Sequence, residues 1–170
     1  MWNFSVRNVQ IAELNPTEVT QGKALKINNQ NLVATNAVDR DLSTIAATST
    51  NDGTGWLKLE FEKTCFIHKV LFYYRFFTNW YNPSAGCVQS EDRFQRCVDN
   101  DNNVDVSVYQ GEVKQKSCGI LQLTYGLEQS DQIYTLICNG RGDTLKLSKT
   151  TGVIGVSEVV VTTSGNCSFL

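Results

Sequence analysis

Histidine and proline are scarce in this chain of 170 residues, which contains one histidine and two prolines. No two cysteines form a Cys-x-x-Cys pair, and with a single histidine the usual zinc-ligand patterns are missing. His68 also has no catalytic motif around it, so the sequence predicts a protein that is not an enzyme. The few prolines and the absence of low-complexity stretches argue against an internal linker and favour a single domain over residues 1–170.

Long apolar runs and an excess of charge of one sign are also missing. The apolar runs have the length of strands, well short of the roughly 18 residues that indicate a transmembrane helix, so we expect no direct membrane insertion. Lys and Arg number 15 against 17 Asp and Glu. This balance, with no phosphate-cradling glycine loop and no basic stripe, argues against nucleic acid as a partner.

What the chain does contain is a succession of short apolar runs separated by Gly and Asn. Ile, Val, Tyr, Phe and Thr dominate these runs, and no segment shows sustained helical spacing with caps. The pattern predicts an all-β fold, a β-sandwich or jelly roll. The predicted strands are Phe4–Ile11, Ala24–Ile27, Trp56–Phe61, Ile67–Phe72, Val104–Tyr109, Ile133–Cys138, Leu145–Leu147 and Val156–Val161.

Six cysteines are scattered through these strands and loops. An even number of well-separated cysteines favours three disulfides formed in an oxidising compartment, so we expect an extracellular protein, secreted or at the cell surface. The alternative is a cytosolic protein with six buried thiols. The six are Cys65, Cys87, Cys97, Cys118, Cys138 and Cys167.

Residues 76–103 interrupt the strand rhythm and are predicted to form a long loop insertion. Long loops in compact domains are usually functional or disordered. Cys87 and Cys97 lie close together within this segment, and a disulfide between them would stiffen the tip of the loop. We therefore interpret the insertion as a loop that is ordered for recognition.

Four stretches, together with the Asn-Gly-Arg sequence after Cys138, resemble the F-type lectin (fucolectin) group of the discoidin-like, galactose-binding-domain-like superfamily. The resemblance runs from about Asn15 to Thr163. It implies a β-sandwich jelly roll and a lectin-like role in carbohydrate binding. The stretches are Asn36–Asp39, Gly55–Phe61, Ile67–Phe72 and Val156–Val161.

The resemblance also implies a disulfide between Cys118 and Cys138, whose spacing is similar to that of the fucolectins. With Cys87 and Cys97 paired by proximity, Cys65 and Cys167 remain as the third predicted pair.

A structural calcium ion (Ca²⁺) is implied as well, because F-type lectins hold one beside an acidic turn and complete its ligands with a Glu of the closing strand. All the matching residues supply oxygen, which calcium prefers. The alternative interpretation is that the Asn and Asp residues only form Asx turns. The matching positions are Asn36, Asp39, Asp41, a hydroxyl at Ser49 or Thr50, Ser157 and Glu158.

The fucose site of the family is matched only in part. The loop before the Trp56 strand lacks the family's histidine, and although Arg75 matches a basic position, Phe77 stands where the family has Asp. His68 lies inside a predicted strand, where a structural or surface role is expected. We therefore expect a sugar site altered from that of fucose binders, built from guanidinium, aromatic and polar side chains that would suit a glycan or a protein surface. The candidate ligand-binding residues are Arg75, Trp80, Tyr81, Arg93, Arg96, Asn51 and Asp52.

The sequence Arg141-Gly142-Asp143 is the tripeptide that integrins recognise, and it lies between two predicted strands, where a hairpin tip is expected. Two functions therefore remain open. The first is a non-enzymatic carbohydrate-recognition domain. The alternative is cell adhesion or receptor recognition through a cell-surface protein, with integrin as one candidate partner.

Overall fold

The computed structural model describes residues 11–27, 29–49, 55–74, 103–122, 132–151, 153–165 and 167. In these residues nearly all regular structure is β-strand, and the one helix is a 3₁₀ turn at Ala34–Ala37. Within the same residues no helix has the length and apolar character that a membrane span requires. The strands are β1 Ile11–Leu14, β2 Glu18–Gln21, β3 Lys26–Ile27, β4 Gln30–Asn31, β5 Ala46–Ser49, β6 Trp56–Tyr74, β7 Val104–Gln110, β8 Val113–Leu121, β9 Gln132–Ser148, β10 Val153–Val156 and β11 Glu158–Ser164.

Seven strands form one antiparallel sheet in the order β1-β11-β6-β9-β7-β8, with β2 paired to the first part of β6. Strands β5 and β10 pair with each other outside this sheet, as do β3 and β4. Alternate residues of the central strands, such as Leu57 and Leu59, are fully buried and share one core with Ile154 and Val156 of β10. Burial of each such side chain stabilises the fold by about 1.5–3 kcal/mol. The predicted all-β sandwich is therefore confirmed.

The two longest strands, β6 and β9, form a paired ribbon with a bulge in its middle. Glu60 pairs with Thr144 and Cys65 pairs with Gly142, so residues 61–64 of β6 lie opposite Asp143 alone. Bulges bend the strand that carries the extra residues. The predicted strands on either side of the bulge are therefore halves of one bent strand in the structure, both in β6 and in β9.

The second half of β6 ends beside β5. Ala46 of β5 pairs with Val156 of β10, and the next residue, Ser157, donates its backbone N–H to the carbonyl of Tyr73 at 3.1 Å. Since β10 pairs with β5 and β11 pairs with β6, the chain crosses from one layer to the other at Ser157.

The first half of β6 begins at the other end of β5. The N–H of Ser49 donates to the carbonyl of Lys23, and the neighbouring N–H of Gly22 donates to the carbonyl of Trp56. A four-residue strand spans only about 13 Å, whereas 19 residues in a straight strand would span about 60 Å. β6 must therefore bend at the bulge, and its two ends, Tyr73 and Trp56, lie near opposite ends of β5; we call the edge of the sandwich at Tyr73 the rim.

Several predicted strands need correction. β5 and β8 were not predicted, because the Ala-Ala-Thr-Ser sequence of β5 has few strand-forming residues and β8 is rich in exposed Lys, Gln and Ser. The predicted strand Val156–Val161 is interrupted at Ser157, where the chain changes layers. Of the predicted strand Phe4–Ile11, only Ile11 lies within the described residues.

Candidate functional site at the rim

Residues 36–44 form a polar turn at this rim, which we call the rim turn. The Asp39 carboxylate accepts the N–H of Asp41 at 2.9 Å, and the Asp41 carboxylate accepts the N–H of Ser43 at 2.8 Å. These are consecutive Asx turns, as the simpler interpretation of the sequence expected. Each Asx turn uses only the Oδ1 atom of its carboxylate, so these two hydrogen bonds do not involve the other carboxylate oxygen, Oδ2, of either residue.

The Thr44 hydroxyl lies at the centre of the rim turn. Its Oγ1 is 2.7 Å from Asp39 Oδ2, 2.9 Å from the carbonyl of Asp41 and 3.4 Å from the carbonyl of Asn36. The side chain of Asn36 itself donates outward, to the carbonyl of Ile45 at 2.9 Å. Three acceptor oxygens of the turn thus converge on one hydroxyl group.

Glu158, the first residue of β11, lies beside the rim turn with only 7% of its surface exposed. Its Oε2 accepts the N–H of Arg40 at 3.1 Å, and among the described residues Oε1 has no hydrogen-bond partner. The guanidinium of Arg40 is directed instead to Glu13, in an exposed pair at 3.5 Å. A buried carboxylate oxygen without a donor is a costly arrangement unless another group satisfies it.

The electrostatics of Glu158 reflect this arrangement. Burial raises the pKa of the carboxyl to about 7; the Arg40 backbone hydrogen bond opposes the increase, and the nearby charges of Asp39 and Glu13 add to it. A cavity of about 90 Å³ opens beside the carboxylate, lined in part by Glu13, Arg40 and Val38. The buried carboxyl group of Glu158 therefore lies beside an open space.

The oxygen atoms of the rim turn and Glu158 are suitable ligands for a hard cation. Among the described residues no three His, Cys, Asp or Glu side chains gather at one point. A cation here would therefore need backbone carbonyl and hydroxyl oxygens in addition to the Asp39 and Glu158 carboxylates, and this oxygen-only set is typical of calcium sites. Of the predicted calcium ligands, Asn36, Asp39, Asp41, Ser157 and Glu158 meet at this end of the sandwich.

The predicted hydroxyl ligand Ser49 does not join them. Ser49 pairs with Val153, three residues beyond the Ala46–Val156 pair that leads into Ser157, a distance of about 10 Å along β5. Thr50 lies outside the described residues. Thr44, which was not among the predicted ligands, has its hydroxyl at the centre of the rim turn, and its position three residues after Asp41 in the same polar segment could have indicated this.

The candidate ligand-binding residues all lie outside the described residues; they are Arg75, Trp80, Tyr81, Arg93, Arg96, Asn51 and Asp52. Their flanking residues are described. Tyr73, next to the segment that begins with Arg75, pairs with Glu158, and Trp56 follows the segment that contains Asn51 and Asp52. The strand end that precedes Arg75 therefore lies at the rim.

The expected hairpin tip at Arg141-Gly142-Asp143 is wrong. The tripeptide lies in the middle of β9, and Gly142 is buried and pairs with Cys65 at the bend of the ribbon. A Cβ at Gly142 would collide with the carbonyl of Tyr109 and lie 2.6 Å from Val108 Cγ1. The glycine permits close strand packing here; it does not make a protruding turn.

Asp143 is also fully engaged. Its Oδ2 accepts the side-chain N–H of Gln110 at 2.7 Å, and its Oδ1 accepts the N–H of Gly111 and the Thr144 hydroxyl, each at 2.9 Å. The carboxylate holds the turn between β7 and β8, so it is not presented for an integrin-bound metal ion.

Two predicted disulfides are confirmed. Cys65 is bonded to Cys167, and Cys118 is bonded to Cys138. The predicted partners Cys87 and Cys97 lie outside the described residues, as does the insertion from residue 76 to residue 102.

His68 lies within β6, half-buried, with its Nδ1 2.9 Å from Asn139 Oδ1. This placement agrees with the structural or surface role expected from its position in the strand.

No protein-family model matches the chain. No curated protein matches it in sequence. Solved structures do match in fold. A fucose-binding module from Streptococcus pneumoniae is 16% identical, with a TM-score of 0.61 over 95% of this chain and 98% of the module. A fucolectin from the serum of Morone saxatilis (striped bass) is 13% identical, with a TM-score of 0.59 over 87% of this chain and 45% of the lectin.

An F5/8 type C domain from Bacteroides fragilis is 13% identical, with a TM-score of 0.57 over 88% of this chain and 92% of that domain. In other matches the chain corresponds to a small part of a larger protein: it spans 14% of a family 89 glycoside hydrolase from Clostridium perfringens. These likenesses, with the antiparallel sandwich described above, show that the chain has the discoidin-like, galactose-binding-like fold that F-type lectins share.

Proposed function

We propose that the chain is an extracellular, non-enzymatic carbohydrate-recognition domain whose sugar site differs from that of fucose binders. The observation that supports this best is the match to the Streptococcus pneumoniae fucose-binding module, which covers nearly the whole of both chains. The fold of this chain therefore corresponds to that of the module over nearly their whole lengths.

The rim is the proposed site of recognition. The rim turn contacts Glu158, and Glu158 pairs with Tyr73 near the end of β6 that leads to Arg75. Binding residues are often carried on loops that a rigid scaffold positions. The sugar would therefore bind to the segments that begin at Arg75 and lie before Trp56.

Calcium is proposed as a structural ion at the rim turn, held by Asn36, Asp39, Asp41, Ser157 and Glu158. The support is the buried Glu158 Oε1 that lacks a donor among the described residues, next to a turn rich in acceptors. When bound, the ion would join the rim turn to the start of β11 and neutralise the buried carboxylate. Glu158 pairs with Tyr73, so the same contact would hold the strand end that leads to Arg75.

An extracellular location is supported by the two disulfides, Cys65–Cys167 and Cys118–Cys138. Disulfides persist in oxidising compartments and are rare in the cytosol.

A glycan array tests the proposal, with the purified chain probed in calcium on fucosylated, galactosylated and other glycans. We expect specific binding that Arg75→Ala removes and Arg141→Ala leaves unchanged, because the strand end before Arg75 lies beside Glu158, whereas Arg141 lies in the middle of β9. Binding to no glycan, or equal losses in both variants, would contradict the proposal.

The second candidate is protein recognition on the same scaffold, and one observation favours it. Ile133 and Ile137, on one face of β9, are 55% and 52% exposed, which gives the outer face of the sheet an apolar strip. Apolar strips of this kind mark interaction surfaces when they are extensive. If the array stays silent, cell-surface binding that is lost in the double variant Ile133→Ser/Ile137→Ser would support this candidate.

A further inference from the structure

A second cavity, at the bend of the β6–β9 ribbon, is lined by polar side chains from three elements, and we call it the bend cleft. Lys58 and Glu60 come from β6, Thr144 comes from β9, and Glu112 comes from the turn that joins β7 to β8. The volume of about 160 Å³ gives room for about five water molecules, and one sugar ring is of similar size. The bend cleft is separate from the cavity beside Glu158, which shares no lining residue with it.

Hydrogen bonds between elements fix the shape of the bend cleft. Asp143 accepts the N–H of Gly111 at 2.9 Å and the side-chain N–H of Gln110 at 2.7 Å, so the turn between β7 and β8 is fastened to β9. The side-chain oxygen of Gln110 accepts the Thr64 hydroxyl at 3.0 Å, which also joins the turn to the bulge of β6. A ligand would therefore enter a preformed cleft and would not have to order these elements, which lowers the free-energy cost of binding.

The bend cleft has spare hydrogen-bonding capacity of both kinds. Lys58 Nζ lies 3.4 Å from Glu112 Oε1, longer than the roughly 2.7–2.9 Å of a good charge-assisted hydrogen bond. The same Nζ lies 5.3 Å from the centre of the Trp56 ring. An ammonium has three N–H donors, so Lys58 can donate further. The Glu60 carboxylate, which is only an acceptor, has no hydrogen-bond or ion-pair partner among the described residues.

This combination suits neighbouring hydroxyl groups of a neutral sugar. A hydroxyl both accepts and donates, so one hydroxyl can accept from Lys58 while the next donates to Glu60 or Glu112. Phe61 also lines the cleft and provides apolar surface for the C–H groups of the ring. A few convergent polar groups beside an apolar surface are typical of small-molecule sites. An acidic sugar would face two carboxylates and one ammonium, so the charges favour a neutral ligand over an anionic one.

We propose that the bend cleft is a second sugar subsite, which binds one neutral monosaccharide unit through Lys58, Glu60 and Glu112. This inference depends on the proposed carbohydrate-recognition function and adds a site apart from the rim. Because one ring makes few hydrogen bonds, we expect a dissociation constant of about 1 mM. Binding this weak would not by itself retain the protein on a glycan array when Arg75 is replaced.

The experiment is a titration of the ¹⁵N-labelled chain with the methyl glycosides of galactose, fucose and mannose, followed by amide chemical shifts. The amides of Gly111 and Thr144 report on the cleft, and the amide of Arg40 reports on the rim. We expect at least one sugar to shift the cleft amides. The dissociation constant obtained from them should rise at least about tenfold in Glu60→Ala and in Glu112→Ala, each of which removes a charged hydrogen-bond acceptor.

Two control variants should leave that dissociation constant within about threefold of the unmodified protein. Glu18→Ala removes the acid directly opposite Glu60 on β2, which does not line the cleft, and Arg75→Ala alters only the rim site. Glu112 has 88% of its side chain exposed, so Glu112→Ala should fold normally and serves alone if Glu60→Ala does not fold.

The outcomes separate this inference from the proposed function. If sugars shift amides elsewhere but not those of Gly111 and Thr144, the subsite is wrong and the proposed function stands. Cleft shifts that are equally strong in Glu60→Ala and Glu112→Ala would also overturn the subsite. Shifts confined to the cleft and lost in these variants would support the subsite and contradict the rim as the binding site. If no sugar shifts any amide, both proposals are wrong.

Discussion

Two aspartates at opposite ends of the sandwich have different surroundings. Asp143, at the bend of the β6–β9 ribbon, accepts three hydrogen bonds from an amide side chain, a backbone N–H and a hydroxyl. Asp39, at the rim, accepts two hydrogen bonds, from the Asp41 N–H and the Thr44 hydroxyl, and the buried Glu158 beside it has an oxygen without a donor among the described residues. Where donors match acceptors a carboxylate stabilises the fold, and where acceptors are in excess it can bind a cation. The sequence suggested a role in metal binding for both residues, because Asp143 is part of the tripeptide that integrins recognise and Asp39 matches a calcium position of the F-type lectins.

The largest effect on stability is expected at the bend of the β6–β9 ribbon. Gly142→Ala should lower the free energy of unfolding by about 3 kcal/mol, because the new methyl group would collide with the Tyr109 backbone, which cannot move without breaking strand pairing. Urea unfolding followed by circular dichroism measures the change. Gly111→Asn is the control, since Gly111 has a positive φ of 57°, which asparagine tolerates, and nothing lies within 4 Å of the added atom. A loss below about 1 kcal/mol in Gly142→Ala would show that the packing at the bend is looser than described.

At the rim, the free energy of unfolding is expected to depend on pH through the carboxyl group of Glu158. The folded-state pKa of Glu158, about 7, is above its ordinary value of 4.5. The folded state therefore binds the proton more tightly, so this contribution to stability is fully present below pH 4.5 and is lost as pH rises through 7. Without calcium the free energy of unfolding should fall by up to about 3 kcal/mol over this range from this group alone.

Denaturant unfolding in chelator at several pH values gives the measurement, with Glu158→Gln as the reference. The difference between the two proteins should change with pH as described. A difference that does not vary between pH 4.5 and 8 would mean that the carboxylate is solvated or satisfied in the folded protein.

The same substitution at Asp143 and at Asp39 compares the two residues directly. Asp143→Asn should cost about 1.5 kcal/mol with or without calcium, because one of its oxygens becomes an NH₂ group that faces donors. Asp39→Asn should cost little in chelator and should remove most of the calcium-induced increase in melting temperature, since it weakens the proposed ion site. Thermal unfolding with and without calcium measures both. The reverse result would exchange the roles that we assign to the two aspartates.

The smallest effect is expected for Arg141→Ala. Arg141 is exposed on β9, and substitutions at such positions usually change stability by less than about 0.5 kcal/mol. Because Asp143 is engaged by three donors, we also expect adhesion of integrin-bearing cells to surfaces coated with the protein to be equal for the variant and the unmodified chain. Adhesion that depends on Arg141 would show that the tripeptide can leave the strand.

Much of the fold could be predicted from sequence, because alternation of apolar side chains is a local property. The core residues Leu57, Leu59, Val70 and Phe72 lie within strands that the pattern predicted. The bend of β6 could not be predicted, since it depends on the offset between two strands that are about 80 residues apart in the chain. β5 was missed for a related reason: its four residues are buried by the opposite layer and carry few strand-forming side chains.

The candidate site could also be predicted from the sequence only in part. Asp39 and Glu158 were selected through resemblance to a known family, and the structure places them side by side. The Thr44 hydroxyl lies among the acceptors of the rim turn, whereas Ser49, a predicted ligand, lies at the Val153 end of β5, because the path of the chain after the rim turn decides where each hydroxyl lies. That path is set by the pairing of β5 with β10, which sequence spacing does not reveal.

By itself the sequence determined the all-β class, the alternating core and a set of polar residues with oxygen side chains. Tertiary structure decided which of those residues have partners. Gln110 reaches Asp143 across 33 residues of chain, and the Arg40 N–H reaches Glu158 across 118. Whether a polar side chain finds hydrogen-bond partners therefore depends on residues that only the fold brings near it. These partners distinguish the structural Asp143 from the candidate ion ligand Asp39, which the sequence alone does not.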